Sequence, residues 1–92
     1  MIGSFKDRRL KRLYERGDRS HLQANLVDRI EAILGHLDVA LTIEDMNIQG
    51  FRLHPLKGNY KGFWSVTVRD NWRIIFRFEN GYAHEIEMID YH

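Results

Sequence analysis

The apolar residues of this chain change their spacing once, at residues 47–50, and that change constrains the fold more than any other feature. Upstream, Leu10, Leu13 and Tyr14 follow the spacing of a short helix. Ser4 and Asp7 open it in the manner of a capping box, and Gly17 can end it in a left-handed conformation. A second helix over about residues 22–37 carries Leu22, Leu26, Ile30, Ile33, Leu34 and Leu37 on one stripe. Residues 1–3 suit the start of a strand, and residues 40–46 a short helical turn. Downstream the period becomes two: Trp64, Val66 and Val68 alternate with Ser65, Thr67 and Arg69, while Trp72, Ile74, Phe76 and Phe78 alternate with Arg73, Ile75 and Arg77. A helical half is thus followed by a strand half. The 92 residues make one small domain, 1–92, with too little core for two.

Cross-strand neighbours share a face, so the apolar sets of adjacent strands must oppose each other. A two-residue turn at Asp70-Asn71 would set Arg69 against Trp72 and break that parity. A three-residue loop, Arg69-Asp70-Asn71, pairs Val68 with Trp72 and restores it. Asn80-Gly81 is usually a two-residue turn signal, but parity again prefers three residues, Glu79-Asn80-Gly81, with Gly81 in the left-handed bulge position. Phe78 then faces Tyr82, Ile74 faces Ile86 and Trp72 faces Met88. The same register sets Tyr91 opposite Arg69 and Glu87 opposite Arg73. Residues 51–56 read as a further strand with Leu53 inward and Arg52 and His54 outward. Pro55, which has no amide to donate, suits an edge. Arg52, His54, Thr67, Arg69, Arg73, Arg77 and Tyr91 are therefore expected together on one polar, basic face.

The formal charge of +1 conceals segregation: residues 1–16 carry +4, residues 17–50 carry −4, residues 51–77 carry +5 and residues 78–92 carry −4. Such blocks permit a local positive field for a polyanion without a basic protein overall, or they pair with one another across the surface. The absence of cysteine excludes disulfides, thiolate zinc sites and cysteine nucleophiles. No apolar run approaches the roughly 20 residues of a membrane span. The first residues lack the apolar core of a signal peptide, so a cytoplasmic location without membrane association is expected.

Asp90, Tyr91 and His92, beside the guanidinium groups of the strand half, suit cleavage of an RNA phosphodiester by its own 2′-hydroxyl. That reaction asks for a base, an acid and neutralisation of the phosphorane. His92 is a candidate acid or base because the unperturbed histidine pKa lies near neutrality. Asp90 can orient that imidazole or act as the base itself. Arg69, Arg73 and Lys57 can clamp the phosphate, the arginines in bidentate fashion. Tyr91 can stack on a base or stabilise the reacting phosphate, and Asn71 and His54 can hold the nucleotide. Each residue also has a plainer role. Arg73 can pair with Glu87 and Arg77 with Glu85, Asn71 can serve the turn, and Trp64 and Trp72 can be core. The Arg-rich side of the first helix can be a solvated face. His21, His36 and His84 lack metal-ligand spacing, and nothing in the sequence asks for a cofactor.

Taken in order, Leu53-His54-Pro55-Leu56-Lys57-Gly58, the run Phe63-Trp64-Ser65-Val66-Thr67-Val68-Arg69-Asp70-Asn71-Trp72-Arg73-Ile74, Glu79-Asn80-Gly81 and Asp90-Tyr91-His92 resemble the HigB toxins of the RelE-like toxin–antitoxin superfamily. The resemblance spans nearly the whole chain. It implies an α+β fold of the RelE-like microbial ribonuclease type, with two N-terminal helices packed on one face of a small, mainly antiparallel β-sheet. The implied activity is metal-independent cleavage of messenger RNA at codons in the A site of the 70S ribosome, arresting growth until a HigA-type helix-turn-helix antitoxin binds. The active-site positions it implies are Lys57, Arg73, Asp90, Tyr91 and His92, with His54, Arg69 and Asn71 on the RNA. A small domain of weak net charge has little surface to grip free RNA, so the ribosome is expected to supply the positioning. Two other readings remain: a non-nucleolytic, ParE-like inhibitor of DNA gyrase, and a ribosome- or RNA-binding module without chemistry.

Overall fold

Asp7 rather than Ser4 starts the first helix. In the computed structural model, which describes residues 1–91, α1 spans Arg8–Arg16, and the Asp7 carboxylate accepts the backbone N–H of Arg9 at 3.0 Å. Ser4 is not part of a capping box: its hydroxyl accepts the N–H of Glu85, far along the chain, at 3.0 Å. Gly17 ends α1 at φ +66°, as expected, its N–H reaching the carbonyls of Arg12 and Leu13. Helix α2 spans Ala24–Val39, starting two residues later than its apolar stripe because Leu22 lies in the preceding turn. A 3₁₀ turn at Ile43–Met46 follows, closed by a capping box between Thr42 and Asp45.

The strand half forms a four-stranded antiparallel meander in the order β1 (His54–Pro55), β2 (Trp64–Arg69), β3 (Trp72–Glu79) and β4 (Tyr82–Asp90). The N-terminal segment lies along the free edge of β4 through parallel bridges of Ile2 to Ala83 and Phe5 to Ile86, so the sheet is mainly antiparallel. Both hairpins correct the expected connections. Arg69 pairs with Trp72 across a two-residue Asp70-Asn71 turn, and the odd residue that parity demands is inserted as a bulge between Thr67 and Arg69. Trp64–Phe76 and Val66–Ile74 therefore pair in the register that a Val68–Trp72 alignment required. At the second hairpin Glu79 pairs with Tyr82 across a two-residue Asn80-Gly81 turn, both turn residues having positive φ (+53° and +81°). Its compensating bulge holds Glu85 at φ +54°, where β3 advances from Ile75 to Arg77 while β4 runs from His84 to Glu87. Ile74 thus faces Met88 instead of Ile86, and Trp72 faces Asp90 instead of Met88.

One face of the sheet is the core. Leu10 and Leu13 of α1 and Leu26, Val27, Ile30, Ile33, Leu34 and Leu37 of α2 bury against Val66, Val68, Ile74, Phe76, Ala83, Ile86 and Met88. Each such aliphatic or aromatic side chain contributes on the order of 1.5–3 kcal/mol when fully buried. Trp64 and Trp72 are half-buried and pack against the same cluster. Leu56 and Ile75 are also buried but lie outside it. Ile75 sits on the opposite face, between Ser65 and Glu87, and that face has no helix over it. The expected strand over residues 51–56 shrinks to His54–Pro55, because Arg52 adopts φ +52° and cannot continue an extended chain.

Candidate active site

The turn between β2 and β3 gathers much of the expected site. Arg69 pairs with Trp72, Trp72 with Asp90, and the N–H of Tyr91 donates to the carbonyl of Asn71 at 2.8 Å. Arg69, Asn71, Arg73, Asp90 and Tyr91 therefore converge at one end of the sheet. Asp70 makes the tight connection by taking a left-handed conformation at φ +52°, so Asn71 is not the left-handed residue of this turn. Arg73 donates through Nη1 to the carbonyl of Asp70 and, at 3.2 Å, to that of Trp72. Carbonyl partners fix a guanidinium without neutralising it.

The bulges alter which residues share a face. Thr67 and Arg73 are partners on the open face, flanked by Ile89, and Arg77 lies on the same side four residues along β3. Arg69, placed opposite Trp72 by the bulge, shares the side of Trp72 rather than that of Arg73. Tyr91 is not opposite Arg69 but beside Asn71, and Arg52 belongs to no strand. Glu87 does not face Arg73: it stands opposite Ile75 and approaches Lys6 at 3.9 Å. The expected Arg77–Glu85 pair is present at 3.0 Å.

His54 pairs with Ser65 on the edge strand β1, one row from Thr67 and Arg73, and its Nδ1 lies 3.0 Å from the carbonyl oxygen of Arg52. Lys57 is exposed and precedes the 3₁₀ turn Gly58–Tyr60, alongside the start of β2, where Leu56 N–H donates to Phe63 carbonyl at 2.9 Å. Five residues, roughly 17 Å at about 3.3 Å per extended residue, separate Gly62, just before β2, from Thr67. Lys57 is thus not gathered into the turn cluster. His92 lies outside the described residues. Among the described residues no group of three or more His, Asp or Glu could hold a metal ion, and no helix is long and apolar enough to cross a membrane.

Two polar groups escaped the sequence reading. The hydroxyls of Ser65 and Thr67 are buried on the open face with no hydrogen-bond partner among the described residues. Their alternation with Trp64, Val66 and Val68 signals that face, but not that both hydroxyls would be covered.

The fold is similar to those of two solved proteins. The whole chain superposes on a YoeB/ParE toxin from Agrobacterium tumefaciens with a TM-score of 0.63, at 16% identity and covering 99% of that protein. It also superposes on YafQ from E. coli with a TM-score of 0.56, at 14% identity and covering 96% of this chain and 91% of that one. At these identities the likeness is one of fold, the α+β fold of RelE-like toxins. The sequence is more specific: residues 3–92 match the family described as the RelE-like toxin of type II toxin–antitoxin system HigB. The chain is 50% identical over 92 residues to Endoribonuclease HigB of Proteus vulgaris, covering all of both proteins. It is 35% identical over 85 residues to Toxin HigB-1 of Vibrio cholerae serotype O1, covering 90% of each. The chain belongs to the HigB-like toxin family, and membership of a type II system implies a protein antitoxin as its partner.

Proposed function

We propose that this toxin is an endoribonuclease that cuts messenger RNA in the ribosomal A site, using the substrate's own 2′-hydroxyl and no metal. The observation that carries the reading is the convergence of Asn71, Arg73, Asp90 and Tyr91 at one end of the sheet, where the β2–β3 turn meets the end of β4. The name of the half-identical Proteus protein supports the reaction type.

In this mechanism Asp90 or His92 takes the proton of the 2′-hydroxyl as its oxygen attacks phosphorus. The bond to the 5′-oxygen breaks, and the other group of the pair returns a proton to that leaving oxygen. The products are a 2′,3′-cyclic phosphate and a free 5′-hydroxyl. Arg73, with a guanidinium already oriented by two carbonyls, neutralises the phosphorane, and Lys57 and Arg69 hold flanking phosphates. Tyr91 stacks on or orients the reacting nucleotide, and His54 and Asn71 hold its neighbours. The ribosome presents a splayed single-stranded codon, the form of RNA in which bases are open to stacking. The exposed cations Arg8, Lys11 and Arg16 of α1 supply ribosomal contacts. The protein acts in the cytoplasm and is silenced by a HigA-type helix-turn-helix antitoxin.

Primer-extension mapping of messenger RNA with purified protein, with and without programmed ribosomes, tests the proposal. Cuts confined to ribosome-bound message at A-site codons, and lost in His92→Ala, are expected. Intact message in both reactions would replace this reading with gyrase inhibition or ribosome binding without chemistry.

A further inference from the structure

The sequence offered Arg77 as a member of the basic face and a partner for Glu85; its surroundings in the structure tie three distant segments together. Its Nε donates to Glu85 at 3.0 Å. Its Cζ lies 4.5 Å from the centre of the Phe63 ring. It also passes so close to Gly62 that a Cβ built there would sit 2.8 Å from Nη1. Gly62 has φ +93°, a conformation that disfavours a side chain, and any side chain there would have to displace the Arg77 guanidinium.

The loop that Arg77 covers is braced internally. Tyr60 N–H donates to Lys57 carbonyl at 3.3 Å, Lys61 N–H to Gly58 carbonyl at 3.1 Å and Phe63 N–H to Tyr60 carbonyl at 2.9 Å. The rings of Tyr60 and Phe63 meet edge to face at 6.0 Å. Arg77 joins this internally hydrogen-bonded loop to the open face of the sheet. The other end of the clamp is built at a cost. Glu85 holds a left-handed conformation, at φ +54°, that disfavours residues with a side chain. The bulge that imposes this is anchored by Ser4, whose hydroxyl accepts the Glu85 N–H.

We infer that Arg77 is a positioning residue: held by Glu85, it fixes the 57–62 loop and so places Lys57 on the substrate's phosphate backbone. The inference rests on the ribonuclease reading for its consequence but not for its geometry. With its Nε on a carboxylate and its plane over a ring, Arg77 acts through the loop rather than on the phosphate.

The test compares Arg77→Met, which keeps length and removes charge, with Phe63→Leu, which removes the ring from the other side of the contact. Each is made in the natural sequence and in a Lys57→Ala background. Amide hydrogen exchange at residues 57–63 is expected to quicken by roughly 3- to 30-fold in either variant, the scale of an exposed cation–π contact with an ion pair. The kcat/KM for ribosome-bound message falls by a similar factor, and that loss vanishes once Lys57 is alanine. Unchanged loop exchange overturns the clamp. An undiminished loss in the Lys57→Ala background overturns its action through Lys57. If the unaltered protein does not cut RNA, the ribonuclease reading falls and the exchange rates alone decide whether the clamp stands. Should Arg77→Met not fold, Phe63→Leu reports the same quantities.

Discussion

Asp7→Ala is the substitution whose cost can be worked most fully from the structure. The Asp7 side chain is only 7% exposed and serves three partners. It caps α1 through the N–H of Arg9, it grips the Arg9 guanidinium at 3.0 and 2.8 Å, and it accepts the Met88 N–H of β4 at 3.1 Å. Loss of a cap costs about 1 kcal/mol. A stranded backbone donor costs about 1–3 kcal/mol, and the freed guanidinium, itself 40% exposed, adds less. Because the three share one carboxylate they do not simply add, and a total of about 2–4 kcal/mol is expected. Asp7→Asn restores one acceptor but turns an amide donor toward the others, so it should fall between Asp and Ala. Burial pushes the Asp7 carboxyl up, yet the hydrogen bonds from Arg9 and the Met88 amide outweigh it and hold the group below its ordinary value of 3.8. A depressed carboxyl binds its proton more weakly in the folded state. Its contribution is therefore complete above about pH 5 and is lost as pH falls through the folded value. Urea unfolding of the natural protein and of both variants, from pH 7 down to pH 3, measures this. The gap between natural protein and Asp7→Ala should narrow with acid. A gap under about 1 kcal/mol at pH 7, or one that stays constant to pH 3, would refute the account.

The remaining expectations concern the core, a helix and the site. Phe76→Ala, at a fully buried position of β3, should cost about 3–5 kcal/mol in denaturant unfolding. Gly35→Ala should stabilise by about 0.5–1 kcal/mol, visible as a raised Tm, because the position lies within α2 and an added Cβ meets nothing within 4 Å. Arg73→Ala should lower message cleavage by about 10²–10³-fold, with Arg73→Lys intermediate because a point charge replaces the fork. Single-turnover assays read both, and full activity of Arg73→Ala would remove it from the site.

The two helices were legible because leucine and isoleucine repeat at helical spacing over enough residues to leave no competing pattern. Parity was legible too: each hairpin had to contain one odd residue, and each does. Where that residue sits was not legible, since a three-residue loop and a two-residue turn with a bulge satisfy parity equally. Asp70, Asn80 and Gly81 tolerate left-handed backbone, which allowed the tighter turns. The bulge at Glu85 depends on Ser4 and Arg77, and Ser4 stands far away in sequence. The same long-range cause moved Glu87 away from Arg73. Asn71, Arg73, Asp90 and Tyr91 still converge, because antiparallel pairing across β3 brings a strand end to the preceding turn whatever the bulge does.

The bulges also decide how the charge blocks meet. The acidic stretch in β4 could have cancelled the basic residues of β2 and β3, leaving a neutral face. Instead Glu85 is drawn to Arg77 and Glu87 to Lys6 of the N-terminal segment. In the expected register Glu87 stood directly opposite Arg73; in the observed one that place belongs to Ile89, an apolar residue. Exposed ion pairs such as these add little stability, typically under about 1 kcal/mol each, so their consequence lies in which cations they leave uncancelled. Arg73, held by carbonyl oxygens, keeps its positive charge beside the strand end that carries Asp90 and Tyr91. A chain of net charge +1 can therefore keep an uncancelled arginine on its sheet, because one inserted residue moves a glutamate away from the arginine it would otherwise face.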